Sequence, residues 1–187
     1  MNAHHKSDND LKLELQQIEA AKLDSARFDV LYDRYYKSIF VFVFRRTGNE
    51  ELTADITSHV FLKALMNIQK YQYKGVPFSA WLFRIAFNEI NMYFRKNNAE
   101  RLVSLDQGGI QNMVSEAAGE DNTEVHKKMM AAVQQLEETD IHLIELRFFE
   151  KRSFAEVAAI IGITENSAKV KVYRILDKLK KIMGKRD

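Results

Sequence analysis

The sequence predicts an all-α protein made of two small helical domains joined by a flexible linker. Three observations carry that reading. Only one proline and seven glycines occur in 187 residues, so little in the chain interrupts a helix. Apolar side chains recur at i, i+3, i+4 and i+7 through most of its length, and strand-like alternation is hard to find. Between residues 99 and 122 the period vanishes among Gly108, Gly109, Gly119 and many polar side chains, which is the composition of a linker.

The elements follow in order. Residues 1–24 read as an N-terminal tail and the start of a first helix, with His4 and His5 in the tail rather than in a metal site. From 27 to 46, Phe28, Leu31, Tyr32, Tyr35, Ile39, Phe42 and Val43 share one helical face. Gly48 and Asn49 end that helix. The next turns Leu52, Ile56, Val60, Phe61, Ala64, Leu65 and Ile68 inward. A loop marked by Gly75 and Pro77 follows, with Pro77 placed to open a helix from about 78 to 98. That helix is expected to bury Trp81, Leu82, Ile85, Ala86 and Tyr93.

Past the linker, which could hold a short docked piece at 110–114, the period resumes at Val125, Met129, Val133 and Leu136. Thr139 reads as an N-cap. Ser153 with Glu156 fits a capping box that opens a short helix over 154–161. Gly162 then ends that helix, and Thr164 caps a last one running to about Met183. The domain bounds are therefore 25–98 and 123–187, with 99–122 between them.

Composition narrows the function. The absence of cysteine excludes disulfides, thiolate zinc sites and a cysteine nucleophile, and it suits a reducing cytoplasm. No stretch approaches the ~18 apolar residues of a membrane span. Net charge is only +2, but its distribution is uneven. Residues 151–187 hold ten Lys or Arg against four acids, whereas residues 97–126 hold six acids against Arg101 alone. Basic modules flank an acidic connection, which points to a polyanion as partner.

The last two helices, joined by a tight glycine turn, make a helix-turn-helix, whose second helix enters the major groove of DNA. Ala168, Val172, Ile175, Leu176 and Leu179 form the inward stripe of that second helix. Asn166, Ser167, Lys169, Val170, Lys171 and Arg174 are left facing outward. Lysine and arginine suit phosphate or guanine there, and asparagine suits adenine. A merely solvated basic face would explain one such helix alone. The turn, the capped preceding helix and the uneven charge together favour DNA.

The stretch "LIELRFFEKRSFAEVAAIIGITENSAKVKVYRILDKLKK" resembles region 4 of bacterial sigma factors. "ADITSHVFLKAL" resembles the polymerase-clamp helix of their region 2, and "FSAWLFRIAFNEINMYFRK" resembles its promoter-melting helix. Both regions, in this order and with only a short linker between them, resemble the extracytoplasmic-function (ECF) sigma factors over residues 25–98 and 123–183. The resemblance implies a cytoplasmic, non-catalytic protein, monomeric when free, without cofactor or direct membrane association. It implies three partners: core RNA polymerase, promoter DNA, and an anti-sigma factor that could itself be membrane-anchored. Asp55, Ser58, His59 and Leu62 would meet polymerase. Tyr71, Tyr73, Lys74, Phe78, Arg84, Asn88, Arg95 and Lys96 would melt and hold the minus-ten element, where unstacked bases need aromatic and basic side chains. Arg147, Arg152 and Thr164 join Asn166, Ser167, Lys169, Val170, Lys171 and Arg174 at the minus-thirty-five element.

The sequence departs from the family pattern at Ala54, Ser58, His59 and Met92, and in the recognition helix at Ala168 and Lys171. Two other classes compete. An enzyme finds no support, because the acid pairs Glu50-Glu51 and Glu137-Glu138 sit at helix starts, where the helix dipole explains them. His59, His126 and His142 have no partner at metal spacing. A stand-alone helix-turn-helix regulator binding DNA as a dimer would leave the first module unexplained.

Overall fold

In the computed structural model, which describes residues 8–96, 131–133 and 135–183, every regular element among the described residues is helical. The linker, the expected docked piece at 110–114, the period at Val125 and Met129, and the N-terminal histidines lie outside the described residues.

The first module contains four helices: α1 (Asp8–Leu23), α2 (Asp29–Thr47), α3 (Glu50–Asn67) and α4 (Phe78–Lys96). Helix α1 begins at the first described residue, so within the stretch read as a tail and the start of a first helix, residues 8–23 are helical. Its Ile18 and Ala21 are buried, and so is Glu14, which accepts a hydrogen bond from the Tyr35 hydroxyl. Leu11, Leu15 and Ile18 carried the helical period, but the surrounding charged residues diluted it. Gly48, at φ 57°, ends α2, and the Asn49 side chain accepts from the Leu52 N–H at 2.8 Å to start α3. Leu31, Ile39, Phe42, Val60, Ala64, Leu82 and Phe83 interlock in the core of this module. Each of the larger of these, the Leu, Ile, Val and Phe side chains, contributes about 1.5–3 kcal/mol on burial. Tyr32 is a correction: it is partly exposed, with its ring tilted against those of Phe61 and Tyr36.

The second module holds α5 (Glu138–Ile144), a π-helical turn (Glu145–Phe149), α6 (Phe154–Ile161) and α7 (Glu165–Met183). Thr139 does not cap α5; Glu137, in extended conformation, occupies that position and Thr139 lies inside the helix. The capping box forms as expected, with the Glu156 N–H bonded to Ser153 Oγ at 3.2 Å and the Ser153 N–H to Glu156 Oε2 at 2.9 Å. Gly162, at φ 85°, ends α6 in a left-handed conformation that glycine adopts without steric cost. Leu143, Leu146, Val157, Ile160, Ala168, Val172 and Ile175 close this smaller core.

The modules also touch. Helix α6 packs on α4, and α5 with its π turn meets the C-terminal end of α2. Nothing in the sequence announced this contact.

Candidate nucleic-acid interface

The apolar stripe of α3 settles which of its residues remain outside. Ile56, Val60, Phe61 and Ala64 are buried, so Asp55, Ser58, His59 and Leu62 emerge together on the opposite side, all exposed. The structure adds Met66, one turn beyond Leu62 and 71% exposed. Its position four residues beyond Leu62, on the same helical face, is the signal that could have identified it. An exposed Leu–Met pair flanked by polar side chains fits a protein partner better than DNA.

Beyond α3 the loop 71–77 and α4 carry the candidate melting residues. Tyr73 and Lys74 are exposed, and so are Arg84, Asn88, Arg95 and Lys96 on the outer side of α4. Two candidates are corrected. Phe78 is fully buried, packs against Tyr35, Tyr71 and Trp81, and directs its N–H to Glu14 Oε2 at 3.4 Å. It anchors the start of α4 and cannot reach a base. Tyr71 is buried against the Phe78 and Trp81 rings, and burial drives its phenol well above the ordinary value. Trp81, expected inside, is only partly covered. It lines an open cleft of about 630 Å³ with Lys70, Lys74, Arg84 and, across the module boundary, Ile163. Of the two loop tyrosines, then, Tyr73 alone is presented to solvent.

In the second module the caps aim α7. Thr164 Oγ1 accepts the Ser167 N–H at 3.2 Å, so the first turn of α7 starts in register with the Gly162 turn. Ala168, Val172 and Ile175 are buried, which places Asn166, Lys169, Val170, Lys171 and Arg174 in solvent, with Ser167 half-covered. This is the outward face the spacing predicted. Tyr173, also exposed, joins it and leans on the Phe154 ring at 6.3 Å. It stands three residues beyond Val170 and seven beyond Asn166, a period that could have identified it. Arg147 is half-buried over the Phe154 ring at 4.7 Å and donates to the Arg152 carbonyl at 2.7 Å.

Arg152 is the third correction. It is buried, paired with Glu156 Oε1 at 3.0 Å and hydrogen-bonded to Ser79 Oγ at 2.8 Å. Its role here is structural, because the side chain is enclosed between Ser79, Glu156 and the Phe83 ring and is not presented to a phosphate. Among the described residues no group of three or more histidines and carboxylates could hold a metal ion. No helix among them is long and apolar enough to cross a membrane.

Comparisons with known proteins fall on the same two modules. The family model for sigma-70 region 2 matches residues 31–100, and that for sigma-70 region 4 matches residues 126–179. The chain is 28% identical over 182 residues to the ECF RNA polymerase sigma factor BldN of Streptomyces coelicolor, covering 95% of this chain and 68% of that one. It is 24% identical over 181 residues to the ECF sigma factor SigW of Bacillus subtilis, covering 91% and 95%. Among solved structures it is similar to CnrH in complex with the cytosolic domain of CnrY, at a TM-score of 0.62 and 20% identity over 91% of this chain and 96% of that one. It is also similar to the sigma factor RpoE bound to the anti-sigma factor NepR from Bartonella quintana, at 0.57 and 18% over 83% and 96%. These two likenesses concern the fold.

Proposed function

The chain belongs to the ECF sigma factors of the sigma-70 family, and from that premise we propose how its surfaces divide the work of initiation. As a sigma factor it binds core RNA polymerase and directs promoter-specific transcription, reading the minus-thirty-five element with region 4 and melting the minus-ten element with region 2. Its role is one of binding, without catalysis. The exposed face of α3, Asp55 with Ser58, His59, Leu62 and Met66, docks the polymerase. Leu62 and Met66 supply apolar contact there, and Asp55 supplies charge complementarity. Tyr73 and Lys74 on the loop, with Arg84, Asn88, Arg95 and Lys96 on α4, take the separated strand. A phenol stacks on any base, and the cations follow the phosphates. Asn166, Lys169, Val170, Lys171 and Arg174 of α7 enter the upstream major groove.

The observation that carries this division is the exposure pattern of α7. A helix whose inward stripe is fixed by Ala168, Val172 and Ile175 leaves three cations and an asparagine on the side where a groove would lie. An anti-sigma factor is the further partner expected, by analogy with RpoE and NepR, and a cytoplasmic location follows from working on polymerase.

Run-off transcription with purified core polymerase tests the reading. Discrete starts are expected only when core and this protein are both present, and robust specific binding by the free chain would favour the stand-alone dimeric regulator. Asp55→Arg is expected to weaken core binding while changing stability by no more than about 0.5 kcal/mol, as exposed sites allow. Thermal unfolding of the variant checks the second half. A large loss of stability would make Asp55 a structural partner and move the polymerase surface elsewhere.

A further inference from the structure

We propose that Lys151, in the turn that leads into the helix-turn-helix, is a further minus-thirty-five residue, and that its ammonium binds a backbone phosphate beside the groove that α7 enters. The proposal rests on the sigma-factor reading for the identity of the DNA. It adds to region 4 a contact that none of the residues assigned above supplies.

The backbone singles Lys151 out. Its φ is 50°, and among the described residues no other residue except glycine has a positive φ. Left-handed backbone brings the Cβ of an L side chain close to the following carbonyl oxygen, so glycine, and less often asparagine, fills such places at helix ends. The turn requires the conformation. The Glu150 N–H bonds the Glu145 carbonyl at 2.9 Å, and the Arg152 N–H returns to the Leu146 carbonyl at 2.9 Å. The chain has to reverse between those two bonds, and the residue there is Lys151. Glycine would make the reversal without strain, yet a long cation occupies the place.

The residues on either side show what the turn does to the side chains. Glu150 is buried and bonded by Arg45, and Arg152 is buried against Ser79 and Glu156. Lys151 stands exposed between them. The basic pair Lys151-Arg152 is thereby split, with one cation sent into the fold and the other out of it. Among the described residues the Lys151 ammonium has no hydrogen-bond or ion-pair partner. No contact within the protein accounts for a lysine here, and a strained residue that the fold does not use points to a function outside it.

Its neighbours place it beside the duplex. Arg147 donates to the Arg152 carbonyl at 2.7 Å, so its guanidinium lies against the same turn. That guanidinium is 4.7 Å from the centre of the Phe154 ring, and the Phe154 ring is 6.3 Å from that of Tyr173 on the exposed face of α7. The turn at 150–153 thus borders the face that carries Lys169, Val170 and Arg174. In a helix-turn-helix the second helix enters the groove while the first crosses the DNA backbone. Lys151 lies three residues ahead of that first helix, α6. An ammonium is a compact point charge on a flexible stem, which suits a phosphate oxygen. Such a contact fixes register and carries no sequence information.

Holoenzyme assembled from core polymerase and this chain, titrated over a salt series with promoter duplexes whose minus-thirty-five element is intact or scrambled, tests the contact. Lys151→Asn and Lys151→Gly both tolerate a positive φ and remove the charge. Both are expected to bind several-fold more weakly at low salt, on either duplex, and to lower the salt slope by about one. The advantage of the parent then shrinks about 3.5-fold between about 50 mM and about 200 mM salt, as a slope difference of about 0.9 dictates. Lys151→Arg, which keeps the charge, is expected to keep the slope of the parent. Denaturant midpoints of the Asn and Gly variants are expected to be no lower than that of the parent, because the left-handed strain is relieved. Weaker binding without lost stability is a combination that a merely structural lysine would not produce.

Unchanged affinity and slope in the Asn and Gly variants would overturn the proposal, and so would an Arg variant that behaves as they do. Weaker binding of core with unchanged DNA titrations would give Lys151 to polymerase and overturn it equally. A parent holoenzyme that does not distinguish intact from scrambled duplex would sink the reading of region 4 itself, and the contact with it; that comparison involves no change at Lys151.

Discussion

Tyr71 and Tyr73 are two residues apart in one loop, yet only Tyr73 is free to meet a base. Tyr71 supports the Phe78 and Trp81 rings, whereas Tyr73 is 43% exposed beside Lys74. Tyr73→Ala is therefore expected to leave closed-complex binding to duplex DNA intact and to slow strand opening. A premelted bubble template is expected to restore activity, with permanganate footprinting on both templates as the measurement; equal defects on both would reduce Tyr73 to loop packing. Lys171→Ala addresses the other module. A base-edge contact would cost about 1–3 kcal/mol of discrimination at one base pair. A phosphate contact would weaken all sequences alike and lower the salt slope by about one. Titrations of matched and mismatched minus-thirty-five duplexes over a salt series, with holoenzyme, separate the two. Single residues were read with uneven success, for a physical reason. On a regular helix the buried stripe determines which side chains are exposed, so α3 and α7 were legible. In a loop no period links neighbours, so Tyr71 and Tyr73 were indistinguishable. Phe78 and Arg152 failed differently, because what covers them comes from distant parts of the chain: Glu14 and Tyr35 for one, Ser79 and Phe83 for the other.

The helix-turn-helix was the most legible element because its boundaries are set by local chemistry. Ser153, Glu156, Gly162 and Thr164 each act within four residues of themselves, and all four take the roles the sequence assigned. The π turn and the start of α5 were not legible, since no local signal marks 145–149 and Glu137 takes the cap position without a side-chain bond. The capping box carries a pH-dependent prediction. Burial works to raise the Glu156 carboxyl, but the Ser153 N–H and the Arg152 guanidinium outweigh it and hold the pKa below the ordinary carboxylate range. An acid depressed in the folded state binds fewer protons there than in the unfolded chain. Its stabilisation is thus complete above the unfolded value, about 4.3, and is lost as pH falls through the lower folded value. Glu156→Gln keeps a group able to accept from the Ser153 N–H but removes this titration. The variant is expected to be less stable than the parent at neutral pH, with the difference shrinking in acid. Denaturant midpoints between pH 7 and pH 3 measure it, and a difference that stays constant with pH would assign the loss to packing alone.

At the scale of the whole molecule, promoter recognition depends on what sets the distance between α4 and α7. Two possibilities make different predictions. If the linker alone tethered region 4 near its element, its effective concentration there would vary slowly with separation, roughly as a power of tether length. A few extra base pairs would then matter little. If core polymerase holds the two regions at a fixed distance and rotation, the DNA must present both elements on the matching face. One turn of duplex is 10–10.5 base pairs, so inserting about five turns the upstream element to the opposite side and moves it about 17 Å. The exposed face of α3 that carries Leu62 and Met66, proposed above to meet polymerase, fits the second possibility for region 2. Run-off transcription from templates with zero, five and ten base pairs inserted between the elements is the measurement. The five-pair insertion is expected to abolish most of the contribution of the minus-thirty-five element, reducing initiation to the level of a template in which that element is scrambled. The ten-pair insertion restores the face but displaces the element by a full turn, about 34 Å, and is expected to recover little if polymerase fixes the distance as well as the angle. A smooth, shallow decline across the three templates would instead show that region 4 is held by its tether, and the specificity of this protein would then lie mainly in region 2.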